Sequence, residues 1–167
     1  CRTYLRAFSR TVHEPAMLLE FLNKELSRHN DACMFVTLIC AVVHIPTGKV
    51  EYANAGHNPP FVRKMDGSVS RLELPENMPI GFMRDAKYVT SSLHLDPGDS
   101  ILFYTDGMPE AFNIKKEMLG DDEARALFKA SSTSGGRRTT IGQLRAEVAE
   151  FTDGAEQSDD ITMMMYG

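Results

Sequence analysis

Two acidic stretches carry the side chains that could do chemistry. Thr105-Asp106-Gly107 closes the short apolar run Ile101-Leu102-Phe103-Tyr104, which puts an aspartate at the rim of a core, on a rigid element. Ser158-Asp159-Asp160-Ile161-Thr162 leads into a second apolar run that ends at Tyr166. Adjacent carboxylates repel each other unless a cation or a hydrogen-bond donor stands nearby. Side chains alternate along a strand, so only one of Asp159 and Asp160 can point to a given face. If the two runs are neighbouring strands, Asp106 converges with one of that pair. Convergent carboxylates are the ligands that hard cations such as Mg²⁺ or Mn²⁺ take. Asp-Gly is also a common turn and Asp-Asp a common loop, so the chemistry rests on the two motifs together.

A third stretch, Ala53-Asn54-Ala55-Gly56-His57-Asn58-Pro59-Pro60, is rigid by composition: small residues, a glycine and a double proline. It could line a site with Asn54 and His57. On physical grounds alone it is a turn that aims two strands. His13, His29, His44 and His94 have no partner spacing and read as surface or core residues. Cys33 and Cys40 read as buried thiols, and Met163-Met164-Met165 as the core and edge of a strand. There is no P-loop, no GxGxxG and no GxSxG elbow.

The elements that must hold these residues follow from periodicity. Arg2–Arg10 reads as the end of a helix. Pro15 opens another, in which Leu18, Leu19, Leu22 and Leu26 form the apolar stripe. The residues from Phe35 to Ile45 form a buried strand, paired through the turn Pro46–Lys49 with the strand Val50–Asn54. A second hairpin spans Phe61–Lys64 and Val69–Leu74. Tyr88–Leu95 is a strand, and Asp96-Pro97-Gly98-Asp99 a type II turn. Ile101–Tyr104 is a central strand, and Pro109 starts a short helix. A helix around Ala124, Leu127 and Phe128 is followed by a polar loop from Ser131 to Arg138. Thr140-Ile141-Gly142-Gln143 is a capping box for the last helix, with Ile141, Leu144, Val148 and Phe151 on its stripe. Ile161–Tyr166 is the last strand. Meandering strands with helices in separate blocks mark an α+β protein with a largely antiparallel sheet, layered so that helices lie outside.

The 167 residues suggest one domain, and 43% hydrophobic with 25% charged residues excludes wholesale disorder. Eighteen Lys and Arg against 23 Asp and Glu leave a net charge of −5, which argues against nucleic acid as the main partner. The longest nearly apolar run, Met34–Val43, is too short to span a bilayer, so no membrane contact is expected from this segment. Three cysteines without a metal or disulfide framework fit a reducing, cytoplasmic compartment. A chain that starts at Cys1 is expected to be a piece of something longer.

Taken in order, Met34-Phe35-Val36-Thr37-Leu38, Tyr52–Pro60, Pro79-Ile80-Gly81, Pro97-Gly98-Asp99, Tyr104-Thr105-Asp106-Gly107 and Gln157–Thr162 resemble the bacterial branch of the PPM-type, metal-dependent serine/threonine phosphatases. Members of that branch include the sporulation stage II protein E and the phosphatases of sigma-factor partner switching. The resemblance covers essentially the whole chain. It implies an α-β-β-α sandwich of two antiparallel sheets with helices outside. It also implies Mn²⁺ or Mg²⁺ between aspartates, and a metal-activated water attacking a phosphoserine or phosphothreonine. By motif position Asp106 and Asp159 correspond to metal aspartates, and Asp160 to a neighbouring, usually non-ligating position. Gly107, Asn54 and His57 are candidates for lining the site.

The family's upstream Gly-Gly-Asp and Asp-x-x-Gly-x-Gly segments are absent from this sequence. The expectation is therefore the C-terminal major part of a phosphatase domain, lacking its N-terminal strands and holding half a metal shell. These 167 residues alone are expected to be inactive, whereas the parent protein is expected to be a phosphatase. Its substrate by resemblance is a phosphorylated protein, such as an anti-sigma-factor antagonist. Exposed strand edges suggest a homodimer. The alternative is a degenerate phosphatase-fold module used for protein binding or dimerisation.

Overall fold

A computed structural model describes residues 2–131 and 136–167. They contain four α-helices and seven strands, the strands in two antiparallel sheets, so the chain is α+β as the sequence implies. No helix of the described residues is long and apolar enough to cross a membrane. The chain divides into two compact units, residues 1–57 with 73–95, and residues 58–72 with 96–167.

The first unit holds α1 (Arg2–Phe8), α2 (Pro15–Leu26), β1 (Leu38–His44), β2 (Lys49–Ala55) and β5 (Ser91–His94), in sheet order β1-β2-β5. The leucine stripe of α2 forms as expected: Leu18, Leu19 and Leu22 are buried, and Leu19 and Leu22 share a core with Ala53, Ala55, Ile80 and Tyr88. Pro15 occupies the first helical turn, where its missing N–H leaves nothing unsatisfied. The next N–H, that of Ala16, donates to Thr90 Oγ1 at 3.1 Å. That bond turns Thr90 towards the helix, and β5 is accordingly shorter than the expected Tyr88–Leu95, pairing with Lys49–Tyr52 through Ser91–His94 only. Asn23, wholly buried on α2, donates to the carbonyls of Met83 and Arg84 and accepts from Gly81 N–H, so a single amide satisfies three backbone groups of the 81–84 loop.

The expected buried strand over 35–45 is corrected in length and in burial. β1 starts at Leu38 and is half-buried, while Met34 and Phe35 are exposed. The reason is position: β1 is the edge of its sheet and pairs with β2 alone among the described residues. Cys33 is exposed rather than buried. Cys40, on β1, is partly buried, and burial pushes its thiol above the ordinary value.

The second unit holds β3 (Phe61–Arg63), β4 (Val69–Arg71), β6 (Ser100–Tyr104), α3 (Gly120–Ala130), α4 (Gly136–Thr152) and β7 (Met163–Tyr166), in sheet order β4-β3-β6-β7. β6 is central, as its apolar run requires. It pairs with β3 on one side and, through Ile101↔Tyr166 to Tyr104↔Met163, with β7 on the other. Its Leu102 and Tyr104 join Phe61, Met108, Phe128, Leu144 and Val148 in one buried core. The Phe61 and Tyr104 rings stack there at 4.7 Å. Each fully buried side chain of this size contributes about 1.5–3 kcal/mol relative to exposure. The turn before β6 has Gly98 at φ +96, the conformation that a type II turn demands of its third residue.

Two expected elements of this unit are corrected. Pro109 starts no helix. Residues 106–110 form a turn, after which Ala111 accepts from Leu119 N–H and Asn113 N–H donates to Glu117, so the backbone groups go into a small antiparallel excursion. Thr140 is not a cap. It lies inside α4, buried, and its hydroxyl bonds back to the Gly136 carbonyl at 3.3 Å. The helix starts one turn earlier than the sequence suggests, so Arg137 and Arg138 are helical, and residues 132–135 of the expected loop lie outside the described residues.

Arg63 is the unusual core residue. It is 3% exposed, its guanidinium sits 4.0 Å above the Phe128 ring, and Nη2 donates to Ser131 Oγ at 2.7 Å. Nε and Nη1 have no hydrogen-bond partner, and burial draws the group's pKa below its ordinary value.

Candidate active site

The two acidic motifs meet at one end of the β6–β7 pair. The ladder continues past Tyr104↔Met163, because Thr105 N–H donates to the Thr162 carbonyl at 3.0 Å. Thr105 Oγ1 then accepts from Thr162 N–H at 2.9 Å and donates to the Asp160 carbonyl at 2.8 Å. One hydroxyl thus ties the end of β6 to both sides of Ile161. Asn58 Nδ2 donates to the Tyr104 carbonyl at 2.9 Å and fixes the same strand end from a third segment.

Gly107 permits the approach. A Cβ on this residue would lie 2.7 Å from the Asp160 carbonyl oxygen and 3.1 Å from that of Asp159, closer than van der Waals contact allows. Only a glycine lets the two segments lie this close without a backbone shift.

Asp106, Asp159 and Asp160 are all exposed. Asp106 Oδ1 accepts from Gly107 N–H at 3.1 Å, and Asp159 Oδ1 accepts from Asp160 N–H at 2.7 Å. Each of these carboxylates therefore has one oxygen oriented by a neighbouring amide, on a side chain that is exposed. The 157–159 segment is braced by Gln157 Nε2 on the Asp159 carbonyl at 2.6 Å and by Ser158 Oγ on the Glu110 carbonyl at 3.3 Å.

In kind, this donor set fits a hard divalent cation: exposed carboxylate oxygens partly oriented by backbone amides. In number it falls short, because no group of three or more His, Cys, Asp or Glu side chains able to hold a metal occurs among the described residues. Asn54 and His57 belong to the first unit. There Asn54 is 5% exposed and its Oδ1 accepts from His57 N–H at 3.0 Å, which closes its own turn.

Thr105 and Asn58 are the residues that motif reasoning passed over. Their side chains satisfy backbone groups, which spacing alone cannot reveal. The available signal was a β-branched hydroxyl residue directly before the aspartate at a strand end.

Solved structures with a similar fold include the PP2C domain of SiaA from Pseudomonas aeruginosa, with a TM-score of 0.75 and 20% identity over 99% of this chain and 66% of that one. The chain is similar to the RsbU and RsbW domains of Rv1364c from Mycobacterium tuberculosis, with a TM-score of 0.78 and 23% identity over 98% of this chain and 44% of that one. It is also similar to the phosphatase domain of SpoIIE from Bacillus subtilis presoaked with Mn, with a TM-score of 0.65 and 18% identity over 97% of this chain and 70% of that one. The chain belongs to the stage II sporulation protein E (SpoIIE) family, whose model matches residues 1–166. Among individual proteins, it is 32% identical to Protein IcfG of Synechocystis over 83% of this chain and 21% of that protein. It is 32% identical to phosphoserine phosphatase RsbU of Bacillus subtilis over 58% of this chain and 29% of RsbU. The chain thus spans between a fifth and a third of the length of these two relatives.

Proposed function

We propose that this chain forms part of the catalytic centre of a metal-dependent serine/threonine phosphoprotein phosphatase of bacterial signalling, in which Asp106 and Asp159 are metal ligands. One observation carries the reading: the backbone of 105–107 lies directly against that of 159–162, so two carboxylates distant in sequence share one strand end. The family supports the chemistry, and the similar Bacillus subtilis protein RsbU is a phosphoserine phosphatase by name.

A bound Mn²⁺ or Mg²⁺ supplies positive charge against phosphoryl oxygens and lowers the pKa of bound water. The residues of this chain do the holding. The Gly107 and Asp160 amides orient one oxygen of each ligand carboxylate and leave the other for the cation. Thr105 locks the spacing between the two segments, and Asp160 adds negative charge beside them. Two carboxylates bind such cations weakly, so ligands from beyond these residues complete the shell. In this reading the chain is the C-terminal major part of a phosphatase domain and is inactive alone, and its substrate is a phosphorylated protein of the anti-sigma-factor-antagonist kind.

The test is Mn²⁺-dependent hydrolysis of a phosphoserine peptide by the longer protein that contains this chain, with Asp106→Asn and Asp159→Asn as variants. Loss of turnover in both supports the assignment. Full turnover in either removes that residue from the metal shell, and robust turnover by these 167 residues alone overturns the half-shell reading.

A further inference from the structure

The second unit contains a cavity of about 680 Å³ that the metal-centre reading does not use. It lies along α4 and is bounded by the Gly107–Phe112 turn and by the 155–163 segment that leads into β7. Its lining is mixed: Phe112, Ile141 and Ile161 are apolar, Arg145 and Glu156 are charged, and Gly107 closes one wall. That volume is in the range of ordinary ligand pockets, about 300–1,000 Å³.

Three features define what it would take. Gly107 belongs both to this wall and to the Asp159–Asp160 contact, so the cavity begins where the candidate metal centre ends. Phe112 is 40% exposed, so apolar surface here is open to a partner. Arg145 is exposed and makes no ion pair or hydrogen bond with any described residue, Glu156 included, so its charge is free for an incoming carboxylate.

We infer that this cavity is a specificity subsite for the substrate protein: it receives the segment flanking the phosphorylated residue, an apolar side chain against Phe112, Ile141 and Ile161 and an acidic one against Arg145. The inference rests on the phosphatase reading and adds the chemical class of the substrate sequence. An apolar pocket discriminates by about tenfold or more for a change of one or two methylenes, enough to select among phosphoproteins.

The experiment uses the longer protein that contains this chain, with Mn²⁺ and three probes. These are a phosphoserine peptide flanked by Leu and Asp, the same peptide flanked by Gly and Ser, and p-nitrophenyl phosphate. Ala149→Trp fills the cavity from the exposed face of α4, Arg145→Glu reverses its charge, and Arg145→Lys is the conservative control. The expected result is a KM for the Leu/Asp peptide raised about tenfold by Ala149→Trp and by Arg145→Glu, the scale of one lost favourable contact. In both variants kcat is unchanged, as is turnover of the other two probes, and Arg145→Lys restores most of the KM. Unchanged KM in both variants overturns the subsite, and a concentration-dependent mass lost with Ala149→Trp would then assign the cavity to a second copy. A parallel loss on all three probes overturns it as well, because the variants would be acting on the fold. Absence of Mn²⁺-dependent turnover in the unaltered protein is a different failure, that of the phosphatase reading itself.

Discussion

β6 begins beside one aspartate and ends beside another, and the two are opposites. Asp99, before the strand, is 3% exposed and receives Lys64 Nζ at 2.6 Å, Met65 N–H at 2.9 Å and Asp96 N–H at 3.0 Å. Asp106, after it, is exposed and receives a single backbone N–H. A carboxylate whose lone pairs are filled by protein donors is a structural part; one with an open oxygen is available for a ligand. Burial by itself would raise the pKa of Asp99, but the Lys64 ammonium and the two amides outweigh it and hold the carboxyl below the usual aspartate range. The same residue type is saturated by protein donors at one end of the strand and left exposed with a single donor at the other.

The largest effect is expected at Asp106. Asp106→Asn in the longer protein should lower Mn²⁺-dependent turnover by on the order of a hundredfold or more, as expected for a lost metal ligand. Its thermal midpoint should not move, since only one exposed hydrogen bond is involved. A midpoint that falls with the activity would make Asp106 structural and erase the contrast.

Asp99→Asn should do the reverse, costing about 1–3 kcal/mol in denaturant titrations by leaving buried donors poorly matched, with Mn²⁺ affinity unchanged. The folded pKa of Asp99 is depressed, so its contribution is present above the ordinary aspartate pKa of about 3.9 and is lost as pH falls through the folded value. Stability of the unaltered chain should therefore fall on acidification below about pH 4. The variant should lose part of that slope, and an identical acid limb would show that Asp99 is not the group responsible.

Gly107→Ala tests the approach between the two motifs. The added Cβ meets backbone oxygens, which cannot rotate away, so a loss of about 1–3 kcal/mol is expected, accompanied by weaker Mn²⁺ binding. Stability lost with Mn²⁺ affinity intact would separate the glycine from the site.

The smallest effect is expected at Arg63→Met. Its guanidinium leaves Nε and Nη1 unsatisfied in the core, so an apolar replacement over Phe128 should change stability by no more than about 1 kcal/mol and can raise it. A large destabilisation would mean that the Ser131 bond and the ring contact outweigh the desolvation.

Elements governed by a local period were legible from residues alone. The α2 stripe, the turns at Pro46–Lys49 and Pro97–Gly98, and β6 as a central strand all form where expected. The structure departs from the expected elements where a hydrogen bond, distant or local, takes a group that the pattern assigns elsewhere. Thr90 leaves its strand to cap α2, Ala111 and Leu119 draw residues after Pro109 away from a helix, and Thr140 bonds within α4 instead of starting it. β1 is half-buried although apolar, because hydrophobicity does not say whether a strand is central or an edge.

The amino-acid order by itself determined the family, the α+β class and which carboxylates are candidates, because these follow from motif order and from periods of two and 3.6 residues. Only the folded chain decided that the Asp106 and Asp159 segments share one strand end, that Thr105 and Gly107 set their spacing, and that Asp99 is withdrawn from chemistry. Those outcomes depend on hydrogen bonds between residues more than thirty positions apart, and no local pattern encodes them.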